Sequence, residues 1–358
     1  MKTALIIIQR SNGDVFFSQT LIKHLLQCFK GVNIDILIND DTKNVATLLS
    51  GIRNIIEFSY KRKKYSRWEQ EKTLILKIFR KYDLSISLTA SDRSVIYCLL
   101  SGKQSISAVE KNPKKSWWKR LLLGKFYFFD TNKHIIENNF QALQLLDCAF
   151  TKNAEPLKTD DNSKKVLLEK LARLKIKQYL VFHPCAQYSY KIYPKNHRNK
   201  LLQNLNTLNI PIIVTGSSSE LDLQIKQEIP NYENIYNFIG ETSISEIVAL
   251  SELAICYVGM DTLNMHIAAS QGKRVFAIFG PTNLKMWSPW SNTQNCQAFF
   301  DKPYQTYGEI SIFQADLPCV ACGKAGCNDK HDESVCLNLI DPNIIFEKIS
   351  VYVRNVEI

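Results

Sequence analysis

Three clusters in the 358-residue sequence hold residue types that do chemistry. The first is Arg10-Ser11-Asn12-Gly13-Asp14-Val15, between an apolar run and the helical pattern FFSQTLIKHLLQCF. A glycine here permits a tight turn, and an acid at a helix start is favoured by the macrodipole. Asp14 therefore reads either as a helix cap or as a carboxylate placed to take a proton from an attacking hydroxyl. The second is Gly259-Met260-Asp261-Thr262-Leu263-Asn264-Met265-His266, where a helix starting after the glycine would present free N–H groups, a ready site for a diphosphate. Capping is the bland reading of Asp261 and Thr262, and a satisfied core histidine that of His266. The third, His183-Pro184 followed by Lys191-Ile192-Tyr193-Pro194, offers a lysine that pairs with phosphate or is merely solvated.

A fourth cluster suits metal binding rather than catalysis. Of ten cysteines, Cys319, Cys322, Cys327 and Cys336 crowd into 18 positions as C-x2-C-x4-C-x8-C, with Gly323 and Gly326 supplying tight turns. Four thiolates can close a tetrahedral structural site and leave no open position for chemistry. Zinc or iron there stands against reduced structural thiols. The remaining cysteines lie scattered among apolar residues, and without an export signal disulfides are not expected.

The elements that must position these residues alternate strand and helix. Strands are expected at 4–8, 34–38, 55–59, 84–88 and 105–109, then at 180–182, 212–215, 235–238, 254–258 and 275–279, with helical patterns between. Residues 152–165, TKNAEPLKTDDNSK, lack an apolar period and read as a linker. This predicts an α/β chain of two doubly wound Rossmann-like domains facing across a cleft, where the carboxyl ends of parallel strands bind ligand. The boundaries are 1–155, 166–340 including the Cys-rich segment 319–336, and a C-terminal helix in 341–358 packing back across the domains.

Composition narrows the class. Apolar residues make up 45% and charged residues 22%, which excludes disorder and fibrous structure. No apolar window is long enough for a membrane span, and no signal peptide is expected. The net charge of +11 favours polyanions without choosing among them. G-x-G-x-x-G and G-x-x-x-x-G-K-[ST] are both absent, which removes the main support for dinucleotide and P-loop chemistry.

Together R-S-N-G-D-V, H-P-(x)6-K-x-Y-P, V-T-G-S-S-S-E at 214–220, G-E-T-S-I-S-E-I at 240–247 and G-M-D-T-L-N-M-H-I-A-A-S-Q-G-K-R-V-F-A-I-F-G-P-T at 259–282 resemble the glycosyltransferase family 9 heptosyltransferases of lipopolysaccharide core assembly. The D-T-L-N-M-H form and the tail P-C-V-A-C-G-K-A-G-C-N most resemble the heptosyltransferase III subgroup. The resemblance implies a GT-B fold and inverting transfer from ADP-L-glycero-β-D-manno-heptose to a lipid A–core oligosaccharide. It implies Asp14 as base, and Lys191, Thr215, Gly216, Asp261, Thr262, Leu263, Asn264 and His266 around the donor. Acceptor contacts fall on Arg10, Asn12, Lys61 and Arg62. Two positions depart from the pattern: Gln187 replaces a frequent basic residue, and Asn12 a frequent His of the III-type enzymes. No D-x-D motif is present, and no cofactor is required for catalysis.

YKRKKYSR at 60–67 and KNPKKSWWKRLLLGKFYFF at 111–129 place Lys and Arg beside aromatics. They read as a solvated face over a buried strand or helix, or as contact with an anionic membrane. Given the implied acceptor, a cytoplasmic protein peripheral on the inner membrane is expected. The alternatives are a relative with a protein or other glycan acceptor and, remotely, a non-catalytic binder of anionic glycan or nucleic acid. No RRM, KH or helix-turn-helix signature supports nucleic acid.

Overall fold

A computed structural model describes residues 1–60 and 66–356 and divides the chain into two compact units, Met1–Leu157 and Lys158–Ile358. The first contains β1 (Thr3–Ile8), α1 (Asn12–Cys28), β2 (Asn33–Asn39), α2 (Lys43–Ala46), β3 (Ile52–Phe58), α3 (Arg67–Ile78), β4 (Tyr82–Ser87), α4 (Asp92–Ser101), β5 (Gly102–Val109), α5 (Pro113–Leu122), β6 (Lys125–Phe128) and α6 (Ile135–Gln144). The strands are β-branched runs such as TALIII, and they pair in parallel in the order β3-β2-β1-β4-β5-β6. Leu5, Ile7 and Leu37 of the sheet pack with Leu74 and Ile78 of α3 and with Tyr97 and Cys98 of α4.

The second unit contains α7 (Asp161–Arg173), β7 (Leu180–His183), a 3₁₀ turn (Ser189–Lys191), α8 (Lys195–Asn206), β8 (Ile212–Val214), α9 (Glu220–Glu228), β9 (Ile235–Asn237), α10 (Ile244–Leu253), β10 (Cys256–Met260), α11 (Leu263–Ser270), β11 (Arg274–Ile278), α12 (Leu284–Trp287), β12 (Tyr304–Tyr307), β13 (Ile310–Phe313), α13 (Val335–Asn338) and α14 (Pro342–Arg354). Its sheet runs β12-β13-β11-β10-β7-β8-β9, parallel except for the β12/β13 hairpin. In each sheet the strand order reverses beside its first strand, between β1 and β4 and between β7 and β10. Such a switch point opens a crevice at the carboxyl ends of the strands.

The structure departs from the sequence reading in three places. Strand β6 and the hairpin β12/β13 were not expected as strands. Residues 152–165, expected as the linker, do hold the boundary between the units, but the linker is shorter than expected: Ala154 and Leu157 are buried, and α7 starts at Asp161. Helix α14, in the C-terminal stretch, lies on α8, and its Ile345, Ile349 and Val353 join the core of the second unit. Finally, Cys28 and Cys148 form a disulfide, against the expectation of none; the packing of α1 on α6 brings their Cα atoms to 5.7 Å. Among the described residues no helix is long and apolar enough to cross a membrane.

Candidate active site

In the first unit the residues after β1 form a closed local network. Ser11 precedes α1, and both its N–H and its Oγ–H donate to Asp14 Oδ2, at 3.2 and 2.7 Å. Arg10 Nε lies 3.0 Å from Asp14 Oδ1, and its guanidinium sits over the Phe129 ring, 4.7 Å from the centroid. The neighbouring loop after β4 is tied in by Gln9, whose N–H donates to Thr89 Oγ1 at 3.1 Å and whose side-chain oxygen accepts from Ser94 Oγ at 2.9 Å. Asp14 is buried. Burial raises its pKa above the ordinary carboxylate value, and the Arg10 charge and the Ser11 hydrogen bonds only partly offset this. The cap reading of Asp14 is thus satisfied, in the capping-box manner, and the same carboxyl is held in one orientation beside a cation.

Of the proposed acceptor residues, Arg10 pairs with Asp14 and Asn12 is half-buried in the first turn of α1. Lys61 and Arg62 lie outside the described residues.

In the second unit three strand ends converge. Gly259 lets β10 approach β7 closely, since a Cβ there would lie 2.4 Å from the His183 carbonyl oxygen. His183 Nδ1 lies 2.9 Å from Thr215 Oγ1, and Asn264 Nδ2 lies 3.1 Å from the same nitrogen. Strand β10 continues to Met260, so Asp261 falls in the link and Thr262 becomes the residue before α11. Neither makes the cap considered for it. Thr262 forms no side-chain capping bond, and Asp261 Oδ2 instead accepts from Lys191 Nζ at 3.0 Å. The first N–H groups of α11, at Leu263 and Asn264, are left without intrahelical partners. Burial works to lower the Lys191 pKa, but the Asp261 carboxylate outweighs it, so the lysine stays charged. Burial pushes the His266 pKa down to about 4 and also lowers that of His183, so both rings are neutral at physiological pH. Thr215 and Gly216 follow β8, Thr215 being buried and Gly216 accepting at its carbonyl from Gly240 N–H at 3.0 Å.

His183, which the third cluster named without a role, links Thr215 after β8 to Asn264 in α11. One group escaped the sequence reading. Asp222 accepts from Ser217 N–H and Oγ–H at 2.6 and 2.7 Å and fixes the loop after β8; the Ser219-x-x-Asp222 spacing was its available signal.

The Cys-rich segment props this site from one side. Ser189 Oγ donates to the His331 carbonyl at 3.3 Å, and Gly323 N–H donates to Pro281 O at 2.7 Å, so the segment touches the loops after both β7 and β11. The His331 ring lies near Tyr188 and Tyr190, which stack on each other beside Lys191. Cys319, Cys322 and Cys327 are exposed and Cys336 is buried. Burial, then the nearby Cys327, Cys322 and Cys319, push the Cys336 thiol up to about 11. Among the described residues no three His, Cys, Asp or Glu side chains are arranged as a formed metal site.

Two switch-point crevices, one with an oriented carboxyl and one with a lysine beside an open helix start, give the chain a two-unit α/β fold of the GT-B type. The family profile described as glycosyltransferase family 9 (heptosyltransferase) matches residues 74–310, and the chain belongs to that family. It is 26% identical over 307 residues to the lipopolysaccharide heptosyltransferase 3 of Escherichia coli strain K12, covering 83% of this chain and 87% of that one. The solved structure of E. coli ADP-heptose LPS heptosyltransferase II shares its fold, with a TM-score of 0.72, 18% identity and 99% of both chains covered. The iron-containing dodecameric glycosyltransferase TibC of enterotoxigenic E. coli H10407 shares it more loosely, with a TM-score of 0.53, 9% identity, and 99% of this chain and 77% of that one covered.

Proposed function

We propose that this chain is an inverting heptosyltransferase that moves heptose from ADP-L-glycero-β-D-manno-heptose to the inner-core oligosaccharide of lipopolysaccharide, working in the cytoplasm at the inner membrane. The observation that carries this reading is the Lys191–Asp261 pair beside the open start of α11, in a chain of family 9.

The diphosphate of the donor sits on the N–H groups of Leu263 and Asn264, with the Thr262 hydroxyl and the Lys191 ammonium supplying further positive field. His266, neutral and buried behind that turn, shapes it without adding charge; Thr215 and Gly216 line the neighbouring strand end. Asp14 in its ionised form takes the proton from the acceptor hydroxyl. The oxygen then bonds to the anomeric carbon as the bond to the diphosphate oxygen breaks, and ADP leaves with the electron pair. Attack opposite the leaving group inverts the anomeric centre. Arg10, held on Asp14, counters the burial that would keep that carboxyl protonated, and Arg10 and Asn12 meet the acceptor.

Cys319, Cys322, Cys327 and Cys336 fit a structural zinc or iron by the chemistry of their donor set: four gathered thiols, with Cys327 Sγ already accepting the Val335 N–H at 3.3 Å. The ion would close the segment that braces the Lys191 turn, and it has no part in transfer. About one equivalent of metal by elemental analysis is expected, with loss of both metal and thermal stability in Cys322→Ser. Metal-free protein of full stability would reduce the cluster to packing.

The transfer is tested with ADP-heptose and a heptose-deficient core acceptor, by following ADP release and the mass gain of one heptosyl unit. Consumption of a UDP or GDP sugar with ADP-heptose untouched would overturn the donor; heptosylation of a protein in preference to core would overturn the acceptor.

A further inference from the structure

The positive charge of this chain is confined to one stretch. Residues 61–125 hold 17 of its 45 Lys and Arg but only 5 of its 34 Asp and Glu; the rest, with 28 and 29, is close to neutral. That stretch covers α3, α4 and α5, a consecutive row in which α4 packs on both neighbours.

Helix α5, PKKSWWKRLL, is turned inside out. The side facing the protein carries Ser116 and a fully buried Lys119, whose ammonium is held by the Ala90 carbonyl at 2.6 Å, Asp92 at 2.7 Å and Glu110 at 2.8 Å. Only Trp118 and the following Leu123 reach the small core around Val95 and Val109. Meanwhile Trp117 is 64% exposed and Leu121 76% exposed, one turn apart, with Leu122 beside them. A helix that burial alone had arranged would place the tryptophan inward and the lysine outward. Lys114, Lys115 and Arg120 flank the exposed apolar residues. Helix α3 buries Leu74 and Ile78 in the ordinary way, but its outer face is similar: Trp68, 77% exposed, and Leu76 share it with Lys72 between them.

We infer that the α3–α5 row docks on an anionic lipid surface, with Trp117, Leu121 and Leu122 entering the headgroup layer and the surrounding Lys and Arg meeting lipid phosphates. The proposal rests on the membrane placement in the function above and assigns it a face. Charge complementarity selects the occupant. Apolar side chains bracketed by cations suit an interface that is apolar below and anionic above, whereas a second copy of this face would set cation against cation. Tryptophan favours such an interface because its ring is amphipathic.

The test is flotation of the whole protein with vesicles of phosphatidylglycerol mixed with phosphatidylcholine, and with phosphatidylcholine alone. Capture by the anionic vesicles only is expected, weakening as salt rises. Trp117→Ser/Leu121→Ser should weaken capture roughly 10- to 100-fold and Lys114→Glu/Lys115→Glu roughly 10-fold, while Val166→Ser/Leu168→Ser on α7 leaves it unchanged. All these variants should turn over ADP-heptose normally with a soluble, delipidated core acceptor. Equal capture by neutral vesicles, or undiminished capture of the Trp117/Leu121 variant, would overturn the proposal. So would capture by RNA with none by anionic vesicles, which would give the face to nucleic acid. A dimer abolished by the same substitutions without vesicle capture would give it to a second copy. Vesicle capture without any heptosyl transfer would instead overturn the catalytic reading and leave the docking face standing.

Discussion

The two helices that follow the switch points begin in opposite ways. At the start of helix α1 the acid is engaged: Ser11 and Arg10 both address Asp14, and its carboxyl reaches back to the Ser11 N–H. Helix α11 starts open: Thr262 makes no capping bond and Asp261 looks away to Lys191. A proton acceptor needs one fixed orientation and a tuned pKa, which a closed network provides. A polyanion site needs donors not already engaged, which an uncapped start provides. On the function proposed above, the same strand–turn–helix unit serves two chemistries by what its cap does.

The largest expected effect comes from removing the oriented carboxyl. Asp14→Asn keeps much of the shape and the Ser11 contacts, so ADP-heptose affinity by calorimetry should stay close to wild type while kcat falls roughly 10² to 10⁴-fold. Near-normal turnover would leave Asp14 as a cap alone and erase the contrast between the two starts.

Next is the cation at the open start. Lys191→Ala should weaken ADP and ADP-heptose alike, by roughly 10- to 100-fold, because the contact proposed for it is with phosphate and not with sugar. Part of the loss would come from the now unpaired Asp261 repelling the diphosphate. Adding Asp261→Asn to the Lys191→Ala background should then restore some affinity. Unchanged ADP affinity in Lys191→Ala would reject the placement.

A third test uses pH. The Asp14 pKa is raised by burial, so ionisation is delayed, and the acid limb of kcat/KM should lie above the ordinary carboxylate range. Arg10 lowers that pKa, so Arg10→Ala should move the limb to higher pH. The sign for stability follows from linkage: a raised acid binds its proton more tightly when folded, so its contribution is lost as pH rises through the carboxylate range. A limb that moves to lower pH in Arg10→Ala would mean that the limb belongs to another group.

How legible all this was depended on distance along the chain. The β-branched runs announced ten of the strands, and the clusters around Asp14 and Asp261 marked both helix starts, although Gly13 lies inside α1 and Gly259 inside β10 rather than in turns before the helices. The hairpin β12/β13 did not announce itself, because YQTYGEISIF reads as polar until β13 pairs with β11. The Lys191–Asp261 pair links residues 70 apart through a 3₁₀ turn, and Cys28 meets Cys148 only because α1 packs on α6. For α5 the sequence gives an amphipathic composition, yet which side faces inward is set by Asp92 and Glu110, which hold Lys119 from outside the helix.

The smallest effect sets the two caps side by side. Ser11→Ala removes the hydroxyl that donates to Asp14 at 2.7 Å, and a lost helix-start bond of this kind costs about 1 kcal/mol of stability. Thr262→Ala removes a hydroxyl that makes no capping bond, so denaturant unfolding should detect a smaller change, under about 0.5 kcal/mol. Binding should rank the other way. Thr262→Ala should weaken ADP by about one hydrogen bond, roughly 2- to 10-fold, and Ser11→Ala should leave ADP binding unchanged. If both substitutions cost equal stability and neither touches ADP, the start of α11 is an ordinary helix end and its openness has no ligand to explain it.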